Sequence, residues 1–147
     1  MVTLRNFQPC DLPALQEQYT SMSISDMQAM ISDWNKREYQ GRYFEMFAVV
    51  NDGVIVGTIS LYQLTASVVS IGPEIFPTYR RRGFGKEAML CALRMAREKG
   101  YKIVAQQIQC DNAPSIALHE SLGFETDRYI YTNRKGKEVF LFYKSLL

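Results

Sequence analysis

The chain of 147 residues has few cysteines, little net charge and no long apolar run. Its three cysteines, Cys10, Cys91 and Cys110, are odd in number and far apart, which argues against a disulfide framework or a zinc site. A formal net charge of +2 is far below that of a typical nucleic-acid-binding domain. No stretch approaches the roughly 18 consecutive apolar residues of a membrane span, and residues 1–11 lack the basic-then-apolar order of a secretion signal. We therefore expect a cytoplasmic protein that uses no metal and has no nucleic-acid or membrane partner.

The hydrophobic pattern predicts one mixed α/β domain over residues 1–147, a length that fits one sizeable core. Asp11 precedes the first helical pattern, Ser25 is the predicted cap of the second, and Asn51-Asp52-Gly53 is a hairpin turn. The order of predicted elements is βααβββαβαββ. Its strands are expected at 2–7, 44–50, 54–61, 67–76, 101–108, 124–131 and 138–144, and its last two helices after Gly85 and from Pro114 to Gly123.

The segment from Phe76 to Lys86 joins a strand to an amphipathic helix through a basic glycine turn. Gly83 and Gly85 lack side chains, so successive backbone N–H groups can converge there on an anion. The N-terminus of the next helix adds the positive end of its dipole. Four cationic side chains suited to phosphate also lie here: Arg80, Arg81, Arg82 and Lys86. The remainder of the chain therefore has a net charge of −2. These residues predict a diphosphate site, with a solvated turn that caps the helix as the alternative.

Two other phosphate-binding motifs fit this segment poorly. Residues 83–88 formally match the dinucleotide pattern G-x-G-x-x-G/A, but no acidic residue lies near position 105 to hold a ribose, and the preceding strands are expected to be antiparallel. A P-loop requires glycine at position 80 and serine or threonine at position 87, where the chain has Arg80 and Glu87.

A second motif lies downstream of the glycine turn, in the segment Asn112-Ala113-Pro114-Ser115-Ile116-Ala117-Leu118-His119-Glu120-Ser121-Leu122-Gly123-Phe124. It resembles the segment N-x-x-[SA]-x-x-L-[YH]-E-x-x-G-F of the GNAT N-acetyltransferases. The string Arg80-x-x-Gly83-x-Gly85 resembles the acetyl-CoA pyrophosphate signature of the same family. Both motifs occur in the family's order, and the resemblance is to its RimI/RimL-like or its phosphinothricin-acetyltransferase-like branch.

The resemblance implies the GNAT fold, a mostly antiparallel sheet of about six or seven strands flanked by about four helices. The fourth and fifth strands, here 67–76 and 101–108, would splay apart to form a cleft for acetyl-CoA. Main-chain groups near Ile75 would hold the pantetheine arm, residues 80–86 the pyrophosphate, and Asn112 would contact CoA or cap its helix. The implied cofactor-binding residues are Ile75, Phe76, Arg80, Arg81, Arg82, Gly83, Phe84, Gly85, Lys86 and Asn112.

The reaction implied by the resemblance is direct attack of a primary amine on the thioester. His119 occupies a position where many members have a proton-donating tyrosine, and it is either that donor or a packed structural histidine. Glu74 is the candidate general base; the alternative is that Glu74 is a solvent-facing strand residue without a catalytic role. Glu45 is a weaker candidate for the base. Gln107 lies where the RimI-like branch has a glutamate, and an amide cannot serve as a base. A water chain could take that role instead.

The identity of the acceptor stays open. It is a small-molecule amine, a protein N-terminus or a lysine, and the family's acceptor pocket is normally walled by the first two helices and the last hairpin. These segments contribute side chains that either line a pocket or form core: Tyr19, Met22, Met27, Met30, Trp34, Tyr129 and Tyr131. The alternative function is a non-catalytic acyl-CoA-binding sensor or interaction module. A homodimer through the C-terminal strand is left open.

Overall fold

The computed structural model describes all of residues 1–147 and contains one continuous sheet with four α-helices. In chain order the elements are β1 (Thr3–Asn6), α1 (Leu12–Gln18), α2 (Ile24–Asn35), β2 (Glu38–Tyr39), β3 (Arg42–Asn51), β4 (Val54–Gln63), β5 (Val68–Ile75), α3 (Phe84–Glu98), β6 (Ile103–Gln109), α4 (Ala113–Ser121), β7 (Tyr131–Thr132) and β8 (Glu138–Ser145). The strand order is β1-β3-β4-β5-β6-β8-β7, with β2 paired to β3. Every pair is antiparallel except β5 with β6. No helix in the structure combines the length and apolar character needed to cross a bilayer.

The mixed architecture and the order of the long elements confirm the fold expected from the sequence. The β3–β4 hairpin turns through Asp52 and Gly53, whose φ angles of 49° and 76° lie in the left-handed region that an Asp-Gly turn favours. Two local expectations were wrong. The cap of α2 is Ser23, whose Oγ accepts a hydrogen bond from the Asp26 N–H at 3.0 Å, rather than Ser25. A short strand, β2, precedes β3 and was not predicted.

The expected strand over 124–131 is mostly absent. Only an isolated bridge between Glu125 and Tyr143 and the two residues of β7 pair with β8. Between them, the N–H of Arg128 donates to the Thr126 hydroxyl and the N–H of Tyr129 to the Asp127 carboxylate. Arg128 also has a φ of 58°. These local side-chain acceptors and the left-handed residue divert the backbone from the ladder.

Two hydrophobic clusters cover the two faces of the sheet. On one face, α3 and α4 pack over the central strands in a cluster of 20 buried residues that includes Met89, Val104 and Phe142. On the other face, α1 and α2 pack over β3 and β4 in a smaller cluster that includes Phe7, Leu15 and Met27. Alternate residues of a strand point to opposite faces. Consequently, residues of β5 with even numbers face α1 and α2, while Val69 and Ile71 face α3.

Candidate functional site

A cleft opens between β5 and β6, in the middle of the sheet. The two strands pair in parallel only at Val68 with Ile103 and Val69 with Val104, although β5 continues to Ile75 and β6 to Gln109. Beyond these two positions the strands diverge. The side chain of Gln106 lies at the vertex, where its amide contacts the backbone of Ile71. This opening confirms the splayed pair of strands expected from the sequence.

The edge of β5 that faces the cleft presents backbone groups that no neighbouring strand pairs with beyond Val69. The backbone of Ile71 points to this edge, since its N–H and C=O meet Gln106 rather than β4. Alternate residues of a strand direct these groups to the same edge, so the C=O of Pro73 and the N–H and C=O of Ile75 face the cleft as well. The Arg80 Nε donates to the Ile75 carbonyl at 2.9 Å, which anchors the following loop to the strand end.

The glycine turn at the end of β5 presents a row of backbone donors to solvent. None of the N–H groups of residues 81–86 donates a hydrogen bond to another group of the protein. Arg81 and Gly83 have φ angles of 65° and 83°, and Gly83 is the N-cap of α3. Alternation of left- and right-handed backbone turns successive N–H groups toward one point, and the dipole of the long helix adds positive potential there.

The donors of this turn fit a diphosphate. The side chains of Arg81, Arg82 and Lys86 are exposed around the free N–H groups, and no carboxylate forms an ion pair with any of them. The guanidinium of Arg82 lies 5.9 Å from the ring centre of Tyr79. Phe84 is half-buried, and its side chain packs against the α3 cluster. An anion with several oxygens would complete the hydrogen bonds that the protein leaves open.

The two sequence motifs come together at the mouth of the cleft. A Cβ built on Gly85 would lie 3.6 Å from Ile75 Cγ1 and 3.8 Å from Leu118 Cδ2, so the turn, the end of β5 and α4 meet there. Asn112 is exposed and caps α4, accepting a hydrogen bond from the Ser115 N–H at 3.2 Å. Capping therefore accounts for Asn112 in this structure, and its side chain stays exposed.

His119, the only histidine of the chain, is buried on the inner face of α4, with 2% of its surface exposed. Its Nδ1 lies 2.8 Å from the Ser115 carbonyl, which can only accept, so Nδ1 carries the proton. Its Nε2 lies 3.3 Å from the Gln106 amide nitrogen and therefore accepts. Burial lowers the pKa of His119 below its usual value, opposed by the hydrogen bond to Ser115. The ring is thus held neutral in one tautomer.

Glu74 lies on the face of β5 that is turned toward α1 and α2. It is exposed, and its Oε1 accepts a hydrogen bond of 2.9 Å from the Tyr19 hydroxyl at the end of α1. Burial, followed by this hydrogen bond and the nearby carboxylate, raises the pKa of Tyr19 well above its usual value. Phe76 packs edge-on against Tyr19, and its own N–H is bound to the Val56 carbonyl in β4. The carboxylate is consequently oriented beside the cleft by a group that stays protonated.

The weaker base candidate, Glu45, lies elsewhere. It is buried on the face covered by α3, where Tyr43 and Asn6 donate hydrogen bonds to it. Burial alone would raise the pKa of Glu45, but these donors, together with the charges of Arg37 and Lys99, hold it below its usual value. The group links β1, β3 and the end of α3. Gln107 is exposed on β6, on the face opposite to Gln106.

Of the side chains expected to line the acceptor pocket, some are buried in the core and others are exposed on the surface. Met27 is 1% exposed and belongs to the α1/α2 cluster, against which Tyr19, Met22, Met30 and Trp34 pack with part of their surface open. Tyr129 and Tyr131 are exposed by 64% and 37% and contact each other. Sequence reasoning missed the Gln106 contacts and the Tyr19–Glu74 pair. For Gln106 a signal was present, because an amide occupies an inward position of an alternating strand.

The family model described as "Acetyltransferase (GNAT) family" matches residues 11–124. The SPbeta prophage-derived N-acetyltransferase YokL of Bacillus subtilis (strain 168) is 30% identical over 134 residues, 84% of this chain and 75% of that protein. The [ribosomal protein bS18]-alanine N-acetyltransferase of Escherichia coli (strain K12) is 22% identical over 144 residues, 94% of this chain and 93% of that protein.

A solved structure of YncA from Salmonella typhimurium, with its cofactor acetyl-CoA, superposes with a TM-score of 0.72 at 19% identity. The superposition covers 100% of this chain and 95% of that one. At this level of identity the likeness concerns the fold.

Proposed function

Because the chain belongs to the GNAT family of acetyltransferases, whose members use acetyl-CoA, we propose that it transfers the acetyl group to a primary amine at the cleft between β5 and β6. The chain is an N-acetyltransferase by this membership. The observation that carries the proposed site is the row of free N–H groups of residues 81–86 at the open end of the cleft. The proposed domain comprises all of residues 1–147.

The donor would bind along β5. In this proposal the pyrophosphate lies against the N–H groups of residues 81–86 and the cationic side chains of Arg81, Arg82 and Lys86. The pantetheine arm then follows the free edge of β5, where the Ile75 N–H and the Pro73 carbonyl are available. Pro73 has no N–H, so this edge offers few donors and a largely accepting surface. Arg80 holds the carbonyl of Ile75 and thereby fixes the loop on the strand.

The acceptor would enter from the side of α1 and α2, where Glu74 lies. As the amine nitrogen bonds to the acyl carbon, Glu74 accepts the proton that the amine loses, directly or through one water. The C–S bond then breaks and the CoA thiolate leaves. Thiols have pKa values of about 8.5, so a thiolate leaves near neutral pH without a dedicated acid.

His119 as a proton donor stays a prediction from the sequence. Its Nε2 accepts from Gln106, and its Nδ1–H is bound to Ser115, so neither nitrogen has a proton directed into the cleft. Replacement of His119 by alanine tests this role. Unchanged turnover and an unchanged pH–rate profile in a folded variant would remove His119 from the chemistry.

For the acceptor we propose the amino terminus or a lysine of a protein, or a small amine. The exposed carboxylate of Glu74 attracts the ammonium form, which loses one proton to bulk water before the neutral amine attacks. One relative is named for acetylation of a ribosomal protein alanine. A cytoplasmic location, where acetyl-CoA is made and used, and activity as a monomer or homodimer are parts of the same proposal.

The deciding experiment is release of free CoA thiol from acetyl-CoA in the presence of a panel of amines, peptides and proteins. Turnover with at least one member supports the transferase. Tight acetyl-CoA binding without turnover on any member would favour the alternative, an acyl-CoA sensor. Absence of calorimetric binding at millimolar acetyl-CoA would contradict both.

A further inference from the structure

The amide of Gln106 uses its full hydrogen-bonding capacity at the vertex of the cleft. Its Oε1 accepts from the Ser70 hydroxyl and from the Ile71 N–H, each at 2.8 Å. Its Nε2 donates to the Ile71 carbonyl and to His119 Nε2, the latter at 3.3 Å. A glutamine amide has two donors and two acceptor lone pairs. All four are therefore satisfied, in a side chain that is only 5% exposed.

The contacts with Ile71 imitate a peptide group of a neighbouring strand. Val69 is the last residue of β5 that pairs with β6 through the backbone, and Ile71 is the next residue whose N–H and C=O point to that side. The Gln106 amide meets both groups of Ile71, so the ladder is extended by one step through a side chain while the main chain of β6 moves away. A buried Ile71 N–H and C=O would otherwise lack partners, which carries an energetic penalty.

The contact with His119 ties α4 to the same point. Because the Gln106 amide nitrogen donates and the Ser115 carbonyl accepts, the ring is restricted to the form with its proton on Nδ1. Phe124 and Phe142 enclose the ring at centroid distances of 4.8 and 6.0 Å. One side chain thus contacts β5, β6 and α4 where the three elements meet.

We propose that Gln106 is a positioning residue for the acetyl transfer: it fixes the vertex of the cleft and the tautomer of His119, and so sets where the acyl end of the donor lies relative to the acceptor. The proposal rests on the proposed function of the cleft. It distinguishes turnover from donor binding, since the turn at residues 81–86, where the diphosphate is proposed to bind, lies beyond the C-terminal end of β5. Loss of Gln106 should therefore impair turnover more than donor binding.

The first test is Gln106→Leu, with Gln109→Leu as the matched control. Gln109 is on the same strand but is exposed, and its side chain points to the face opposite to that of Gln106. Gln106→Leu should lower kcat at least about tenfold, because small displacements of reacting atoms have large effects on rate. Its calorimetric Kd for acetyl-CoA should stay within about threefold of the wild type, as expected when the anion-binding groups are untouched. Wild-type kcat in Gln106→Leu, or an equal loss in the control, would overturn the proposal.

A spectroscopic measurement on the folded wild-type protein keeps the proposal testable if Gln106→Leu does not fold. Nitrogen-15 NMR of the single histidine should show a neutral ring with the proton on Nδ1. A wild-type ring protonated on Nε2, or charged at pH 7, would overturn it. In Gln106→Glu, the carboxylate can accept from Nε2, so the ring should become the imidazolium at pH 7. Neither measurement uses the reaction, so a failed transferase assay with the expected NMR result would contradict the proposed function alone.

Discussion

The Tyr19 hydroxyl donates a hydrogen bond of 2.9 Å to the Glu74 carboxylate, which joins the end of α1 to the strand that borders the cleft. The two residues are 55 positions apart in the chain. Because the pKa of Tyr19 is raised well above its usual value, the hydroxyl stays a donor throughout the neutral range. One oxygen of the carboxylate is thereby oriented, and the other accepts no hydrogen bond from the protein.

Replacement of Glu74 by glutamine should remove the proposed base while preserving the shape of the side chain. We expect kcat to fall by about 100-fold, the usual contribution of a general base. The measurement is steady-state release of CoA thiol with a productive amine. Tyr19→Phe is the matched control, since it keeps the carboxylate and removes only its donor, and it should cost less than tenfold. A Glu74→Gln rate within about twofold of the wild type would exclude Glu74 as the base.

Gly85→Val should weaken donor binding without unfolding the protein. A Cβ at this position meets Ile75 and Leu118 only at ordinary contact distances, so the fold accommodates it. The branched side chain would keep phosphate oxygens from the free N–H groups of the turn. We expect the calorimetric Kd for acetyl-CoA to rise at least about tenfold, which corresponds to about 1.4 kcal/mol. Gly85→Ala should have a smaller effect, and equal affinity in all three proteins would show that the anion binds elsewhere.

His119 should make stability depend on pH in the mildly acidic range. Burial lowers its pKa in the folded protein, so below a pH of about 6.5 the unfolded chain binds a proton that the native state does not. The contribution of the neutral His119 ring to the free energy of unfolding is therefore complete above the pKa of the unfolded chain. It decreases as the pH falls, by at most about 1.4 kcal/mol per pH unit. Urea unfolding at pH 7.5 and 5.5 should show a larger loss for the wild type than for His119→Gln. Equal losses would mean that the ring is protonated in the native state.

Glu45 should prove structural rather than catalytic. It is 5% exposed and accepts hydrogen bonds from Tyr43 and Asn6, with Arg37 and Lys99 at 3.5 and 3.8 Å. Glu45→Ala leaves these donors without a partner and should lower the free energy of unfolding by roughly 3 kcal/mol. Asp33→Ala, which removes an exposed ion pair with Lys36, should cost less than about 0.5 kcal/mol. Similar losses in the two variants would show that the buried carboxylate contributes little.

The sequence was sufficient wherever structure is determined locally. Asp52-Gly53 specifies a turn, Gly83 precedes a helix, and Asn112 with Pro114 begins one, because each depends on the conformational preferences of a few adjacent residues. The same local signals failed where two candidates compete. Ser23 and Ser25 are both possible caps, and the strand propensity of 124–131 is overridden by the hydroxyl of Thr126 and the carboxylate of Asp127.

The sequence motifs predict only part of the candidate site. The loop and the identity of the two splayed strands came from the sequence, whereas the contacts of Gln106 and Glu74 did not. Gln106 bonds to a residue 35 positions away, in a gap that exists only because two strands separate. Glu74 accepts a hydrogen bond from Tyr19, at the end of α1 and 55 positions away. Such pairings depend on tertiary geometry, which periodicity along one segment does not contain.

The concentration of positive charge on one turn has a kinetic consequence. Four cationic side chains lie within residues 80–86, while the remainder of the chain has a net charge of −2. A polyanionic donor approaching the molecule is therefore drawn toward one end of one cleft and repelled, weakly, from the rest of the surface. Capture of the donor should be accelerated at low ionic strength and slowed as salt shortens the Debye length to about 8 Å. In the proposed function, the turn would therefore raise the rate of donor capture before any contact forms.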